Sequence, residues 1–321
     1  MKAITYSSYG SPDVLRCEEL PKPTVGDDDV LIAVRAASVN PADWHFMRGT
    51  PGIARMAFGL RKPRDPRLGI DVAGRVEAVG TGVTRFKPGD EVFGVCRGAF
   101  AEYACASEAA LVAKPDNASF EEAASVPVAA TTALQALRKS RVQRGQRVLI
   151  NGAAGGVGTF AVQIAKSFGA DVTGVCSTRN VEMVRSIGAD RVVDYTREDF
   201  TKGGQRYDVI LDCIGNHSLL ACRRVMSGGG NYVMVGGPDG RWIGPFARLI
   251  KMLLLSPFVS QKLVVAIARQ SPEDLSTMRQ LVEARTVRPV IDRRYGLSEV
   301  PHAIRYLEEG HARGKVVIAV G

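Results

Sequence analysis

The chain has 321 residues, 45% of them hydrophobic and 23% charged, with a formal net charge of +9. That length accommodates two domains with cores of their own, and the balance excludes a disordered, collagen-like or disulfide-framework protein. Its lysines and arginines are scattered, with no aromatic-interleaved basic motif, so the charge reads as a solvated basic surface; nucleic acid is not the expected partner, although charge alone leaves an RNA-binding or regulatory role open.

The opening segment MKAITYSSYG has no apolar signal-peptide core, which makes a cytoplasmic protein the expectation. Roughly the first 120 residues read as β-rich, with β-branched runs at Val30 to Val39 and Asp71 to Gly80 and a turn signal in KPGDEVFG, Lys87 to Gly94. Little helical periodicity interrupts them, which fits a small, mostly antiparallel barrel-like domain. The texture changes at Ser119. Glu122 follows it three residues later in a capping-box pattern, opening the helical run SFEEAASVPVAATTALQAL.

Strand and helix then alternate. RVLING is a strand, VGTFAVQIAKSFG a helix stopped by Gly169, and DVTGVCS a strand. NVEMVRSIG is a helix stopped by Gly188, and DRVVDY, YDVILDCIG and GNYVMVGG are further strands. This rhythm predicts an α/β class with a doubly wound parallel sheet. The apolar run Phe246 to Ala268 is interrupted by Arg248, Lys251 and Lys262 and broken by Pro257. It is too short to cross a bilayer and reads as two short buried or interface helices, with a membrane-surface or substrate-lid role as the alternative. From about Ser271 a helix, a strand, a second helix and a final strand KVVIAV follow. The second helix has Ser298 as N-cap, Pro301 in its first turn and Gly310 as its stop. The segment is expected to rejoin the first domain, giving a discontinuous domain of residues 1–122 and 268–321 and a second of residues 123–267. The six cysteines, Cys17, Cys96, Cys105, Cys176, Cys213 and Cys222, form no CxxC pair and read mostly as small core residues.

The chemistry-bearing motif is AAGGVG, Ala153 to Gly158, a G-x-G-x-x-G variant with alanine first, placed between a predicted strand and a predicted helix. Glycines there let backbone approach a pyrophosphate, and the helix start offers N–H groups to it. Ala154, Gly155, Gly156, Val157 and Gly158 are therefore expected to bind a dinucleotide. The next strand ends in Cys176 where a ribose-binding acid would stand, followed by Ser177, Thr178 and Arg179. A carboxylate there repels a 2′-phosphate; hydroxyls and a guanidinium attract one. NADPH is the expected cofactor, with Arg179 as a solvated helix-start residue the competing reading.

The run GQRVLINGAAGGVGTFAVQIAK, with VRAASVNPADW, KPGDEVFG, RSIGADRVVDY and EEGHARGKVVI, resembles the zinc-independent quinone oxidoreductase branch of the medium-chain dehydrogenase/reductase superfamily. The resemblance covers nearly the whole chain and implies a GroES-like barrel domain, a Rossmann domain and a homodimer. Zinc alcohol dehydrogenases of that superfamily carry a cysteine where Asn40 stands and Gly-His-Glu where this chain reads Gly69-Ile70-Asp71. Isoleucine cannot bind zinc, and Cys96 with Cys105 cannot supply a four-ligand structural site, so no metal is expected. Without a Lewis acid the easier reaction is hydride addition to a quinone or an α,β-unsaturated carbonyl, with hydrogen-bond donors at the oxygen that gains charge.

By resemblance Asn40, His45 and Arg48 are the substrate or nicotinamide contacts, and Thr132, Val235, Gly236 and Gly237 border the nicotinamide. Tyr195 and Ile214 flank the adenosine end, and Gly314 and Lys315 approach the cofactor from the returning segment. An NADP-dependent alcohol or aldehyde dehydrogenase of the same superfamily is the alternative function.

Overall fold

The computed structural model describes residues 1–236, 250, 252, 259–266 and 268–321. The chain divides into two compact units. One comprises Met1–Thr131, Gln270–Arg285 and Pro289–Gly321; the other comprises Thr132–Arg269 and Thr286–Arg288.

The first unit holds β1 (Lys2–Thr5), β2 (Arg16–Glu19), β3 (Asp29–Val39), α1 (Pro41–Arg48), α2 (Arg55–Phe58), β4 (Asp71–Val79), β5 (Glu91–Val95), β6 (Tyr103–Ser107), β7 (Leu111–Ala113) and α3 (Phe120–Ala124). Helix α4 (Pro127–Lys139) begins in it and ends in the second unit. β3 is the spine of its main sheet. One edge pairs with β4 along almost its whole length; the other is shared by β6, opposite Asp29 to Ala33, and by a late strand opposite Ala36 to Val39. Alternating β-branched residues of β3 and β4 place Val30, Ile32, Val72 and Val76 in the core with Phe100 and Leu111.

Ser119 caps α3 as its sequence predicts: its hydroxyl accepts from Glu122 N–H at 3.1 Å, and Glu122 accepts from Ser119 N–H at 2.8 Å. The helical run is not continuous, however. It stops at Ala124 and restarts at Pro127, because proline suits the first turn of a helix and not its interior.

The second unit continues with β8 (Arg147–Asn151), α5 (Gly156–Ser167), β9 (Asp171–Cys176), α6 (Val181–Ser186), β10 (Arg191–Asp194), β11 (Tyr207–Asp212), α7 (Leu219–Arg224), β12 (Met226–Met234) and β13 (Lys262–Val265). All neighbours are parallel, in the order β10-β9-β8-β11-β12-β13. In order of appearance that is 3-2-1-4-5-6, the Rossmann arrangement, with its switch point between β8 and β11. Gly169 and Gly188 take positive φ, as their reading as helix stops requires.

Lys262–Val265 is a strand rather than part of a helix, correcting the reading of the apolar run. Its residues pair with Asn231 to Met234 and add a sixth strand, which local apolarity could not distinguish from a helix. Most of Phe246 to Ala268, including Arg248, Lys251 and Pro257, lies outside the described residues.

The chain then supplies α8 (Pro272–Glu283), β14 (Ile291–Gly296), α9 (Val300–Glu308) and β15 (Lys315–Ala319) to the first unit. β15 is the strand that completes the edge of β3. The N-cap of α9 is Glu299 rather than Ser298, which lies in a 3-10 turn just ahead. Gly310 ends the helix at φ 72°. Of the cysteines, Cys176 and Cys222 are buried, Cys96, Cys105 and Cys213 are half-buried and Cys17 is exposed, so fewer sit in the core than expected. Among the described residues no helix is long and apolar enough to cross a membrane.

Candidate functional site

The turn between β8 and α5 lies at the switch point of the second unit's sheet. Gly152 takes φ 86°, so it, not Ala153, makes the tight turn; Ala153 is fully buried beneath the turn. A Cβ at Gly158 would lie 2.0 Å from Gly152 O and 2.9 Å from the Ala153 Cα, so only glycine lets α5 approach the strand end. Gly155 is the N-cap of α5, and Gly156, Val157 and Gly158 form its first turn, whose N–H groups lack intrahelical acceptors. Ala154 is also buried. The loop is thus a cradle that side chains would fill, with a helix N-terminus at its back, and it fits a dinucleotide pyrophosphate.

Two other residues from the same motif are structural. Gln163 clasps the backbone of Arg288, receiving its N–H at 2.8 Å and donating to its carbonyl at 2.9 Å. Lys166 forms an ion pair with Asp190 at 2.8 Å.

β9 ends in Cys176, whose thiol burial pushes up to about 11, keeping it neutral and apolar in character. Ser177 is half-buried, while Thr178 and Arg179 are exposed. Tyr195 is exposed, and its N–H donates to Cys176 O at 3.0 Å, so the ends of β9 and β10 bring Ser177, Thr178 and Tyr195 together. Two further groups were not singled out from sequence. Asp194 accepts from the Thr178 hydroxyl at 2.5 Å, which with Thr196 holds its carboxyl below the usual range. Arg197 lies 3.5 Å from Asp194 and answers its charge.

Asp212, the last residue of β11, is a buried hub that sequence reasoning also missed. It accepts from Asn151 Nδ2 at 2.8 Å, from Gly215 N–H at 2.8 Å and from the Tyr232 hydroxyl. These bonds lock the ends of β8, β11 and β12 around the switch point. Ile214 is half exposed and leans over the turn; a Cβ on Gly152 would lie 2.8 Å from its Cδ1. Val235 and Gly236 continue β12, and both donate their N–H to Asp212 O. A Cβ on Gly236 would lie 2.1 Å from Cys213 O, a close approach that requires glycine. Thr132 is buried in α4, and Gly237 lies outside the described residues.

The remaining candidates belong to the first unit. Asn40 is 2% exposed and caps α1 through its backbone: its N–H donates to Asp43 Oδ2 at 2.7 Å, and its carbonyl accepts from Asp43 N–H at 3.0 Å. Its carboxamide turns inward. Oδ1 accepts from Lys315 Nζ at 2.6 Å, while Nδ2 donates to Asp71 Oδ2 at 2.9 Å and faces Ser38 O at 3.4 Å. Lys315 is therefore buried in this cluster, and Gly314 before it takes φ 102° with no room for a Cβ against Val290 O. Burial, reinforced by the Asp71 charge, pushes the Asp43 carboxyl up to about 7.

On α1, Arg48 is clamped by a bidentate ion pair to Glu308 of α9, so its guanidinium is committed within the unit. His45 stacks on Trp44 with ring centroids 3.7 Å apart, and its Nδ1 lies 3.3 Å from the Thr50 hydroxyl.

The positions that carry zinc ligands in alcohol dehydrogenases do not fit a metal here. Ile70 has no donor atom, and the Asn40 oxygen already receives an ammonium. Among the described residues no three His, Cys, Asp or Glu converge as a ligand set.

A Rossmann-ordered sheet with a glycine turn at its switch point, in one chain with a separate β-sheet unit, is the fold of nucleotide-dependent dehydrogenases and reductases. Residues 26–116 match the family described as Alcohol dehydrogenase GroES-like domain, and residues 187–318 that described as Zinc-binding dehydrogenase. The chain is 34% identical to the Chloroplast envelope quinone oxidoreductase homolog of Arabidopsis thaliana, across 99% of this chain and 98% of that protein. It is also 34% identical to the chloroplastic NADPH-dependent alkenal/one oxidoreductase of the same plant, across 99% of this chain and 79% of that one. The solved quinone oxidoreductase of Coxiella burnetii superposes with a TM-score of 0.88 at 32% identity, covering 100% of this chain and 99% of that one. The chain belongs to the quinone oxidoreductase branch of the medium-chain dehydrogenase/reductase superfamily.

Proposed function

We propose that this protein is an NADPH-dependent, zinc-independent reductase that transfers hydride to a quinone or an α,β-unsaturated carbonyl acceptor. The observation that carries the reading is the glycine cradle at the switch point, beside a strand that ends in Cys176 rather than an acid. Kinship with proteins named as quinone and NADPH-dependent alkenal/one oxidoreductases supports it. In this reading the second unit is the NADP-binding domain and the first, GroES-like unit the substrate domain.

NADPH bound at the cradle supplies the hydride. The α5 N-terminus and the backbone from Gly155 to Gly158 would hold its pyrophosphate, Ser177 and Arg179 its 2′-phosphate, and Tyr195 and Ile214 its adenosine. Arg197 is a further cation near that end. At the acceptor the protein's task is to donate a hydrogen bond to the oxygen that gains charge. Asn40, His45 and Arg48 are the candidates for that contact; Asn40 Nδ2 and the Arg48 guanidinium also bond within the first unit, and His45 Nδ1 lies 3.3 Å from the Thr50 hydroxyl. The reading includes a cytoplasmic homodimer, which sedimentation and fractionation would check.

The deciding experiment is an acceptor screen with NADPH and NADH in chelator-containing buffer. NADPH oxidation with quinones or enones is expected, and an enone should yield the saturated ketone. An allylic alcohol as sole product, or activity that dies with chelator and returns with zinc, would overturn the proposal.

A further inference from the structure

Asp71 has no exposed surface, and a buried carboxylate requires a counter-charge. By the resemblance given above, zinc alcohol dehydrogenases carry a cysteine where Asn40 stands and Gly-His-Glu where this chain has Gly69-Ile70-Asp71. In this chain Lys315 reaches Asp71. An ammonium has three donors and no acceptor, and three oxygens surround Nζ: Asn40 Oδ1 at 2.6 Å, Asp71 Oδ2 at 3.4 Å and Val39 O at 3.4 Å. Lys315 itself is 3% exposed.

Topology makes the meeting unavoidable. Ser38 lies opposite Asp71 where β3 pairs with β4, and Val39 lies opposite Val316 where β3 pairs with β15. Gly314 turns the chain tightly against Val290 immediately before the lysine. The rest of the shell completes Asp71: Ser38 Oγ donates to Oδ2 at 2.7 Å and Val128 N–H donates to Oδ1 at 3.0 Å. The donor chemistry also matches an ammonium rather than zinc. An amide oxygen stands where a soft thiolate would bind the metal, and an isoleucine where an imidazole would.

We infer that the Lys315 ammonium is a built-in cation that takes the place of the fold family's metal, neutralising Asp71 and fixing the Asn40 carboxamide. This deepens the zinc-independent reading above and rests on it. Lys315 is then a positioning residue whose role does not depend on bound cofactor.

The test uses the full-length protein without NADPH. Lys315→Ala should lower Tm by about 5–15 °C, as expected for a buried charge left alone. n-Propylammonium should restore much of that loss saturably, whereas tetramethylammonium at equal ionic strength should not. Should Lys315→Ala not fold, Lys315→Met and the double variant Asp71→Asn/Lys315→Met are compared; the neutral pair is expected to melt higher than the single variant. Wild type dialysed against zinc and desalted should retain none.

An unchanged cofactor-free Tm with loss confined to NADPH affinity would make Lys315 a cofactor ligand and overturn the inference. So would a double variant no more stable than the single one, or stoichiometric zinc in wild type. All these readouts are independent of turnover, so absence of quinone reduction would sink the proposed activity without touching them.

Discussion

Asp43 has no exposed surface, and among the described residues its Oδ1 makes no hydrogen bond of ordinary geometry. Burial raises its carboxyl from 3.8 to about 7, so the folded state binds that proton more tightly than the unfolded chain. The stabilisation is complete below about pH 4 and is lost as pH rises through about 7. Across that window it amounts to up to about 4 kcal/mol. Asp43→Asn should remove this dependence, and melting profiles from pH 4 to 8 should diverge in the variant's favour as pH rises; parallel profiles would refute the assignment. At the other candidate site, Arg179→Ala should weaken NADPH binding about tenfold or more while leaving NADH nearly unchanged, as titration with each cofactor would read. Equal losses would mean that Arg179 does not meet the 2′-phosphate. Asp194 is not marked in the sequence by any spacing, and the capping spacing of Asn40 and Asp43 gives no sign of the burial that shifts Asp43, because both depend on what surrounds them.

At the scale of elements, the β8 turn and α5 depend on one contact. Gly158→Ala would place a methyl 2.0 Å from Gly152 O, backbone that cannot step aside without moving the strand end. A Tm loss corresponding to about 1–3 kcal/mol is expected, with weakened NADPH binding. Gly228→Ala, in an exposed part of β12 where a Cβ meets nothing within 4 Å, serves as the neutral control. The strand-turn-helix unit was legible because its glycines, periodicity and stops are local signals. Which residue makes the tight turn was not legible, since only backbone geometry shows that Gly152 carries the positive φ. β13 was illegible for a different reason: LVVAI satisfies either a buried helix or a strand, and pairing with β12 decides.

For the molecule as a whole, the return of the chain matters most. β15 comes from the last residues yet sits between β14 and β3, and it delivers Lys315 to Asn40 and Asp71, 275 and 244 positions away in sequence. That closure ties the first unit together and places a fixed positive charge inside it. An expected consequence is indifference to metals: reductase rates with a quinone should be the same in chelator as in added zinc. A chelator-induced loss reversed by zinc would contradict it.

By itself the sequence determined the two-part α/β architecture, the glycine turn between β8 and α5 and the missing acid at Cys176. Those features are written in short windows, as periodicity, caps and glycines at fixed offsets. Only the tertiary structure decided which partners Asn40, Arg48 and Lys315 hold. All three read as site contacts along the chain, and the fold adds that Asn40 and Lys315 share one buried polar cluster and that Arg48 pairs with Glu308. The physical reason is that a polar side chain bonds to whatever partner burial brings beside it, and strands far apart in sequence supply those partners.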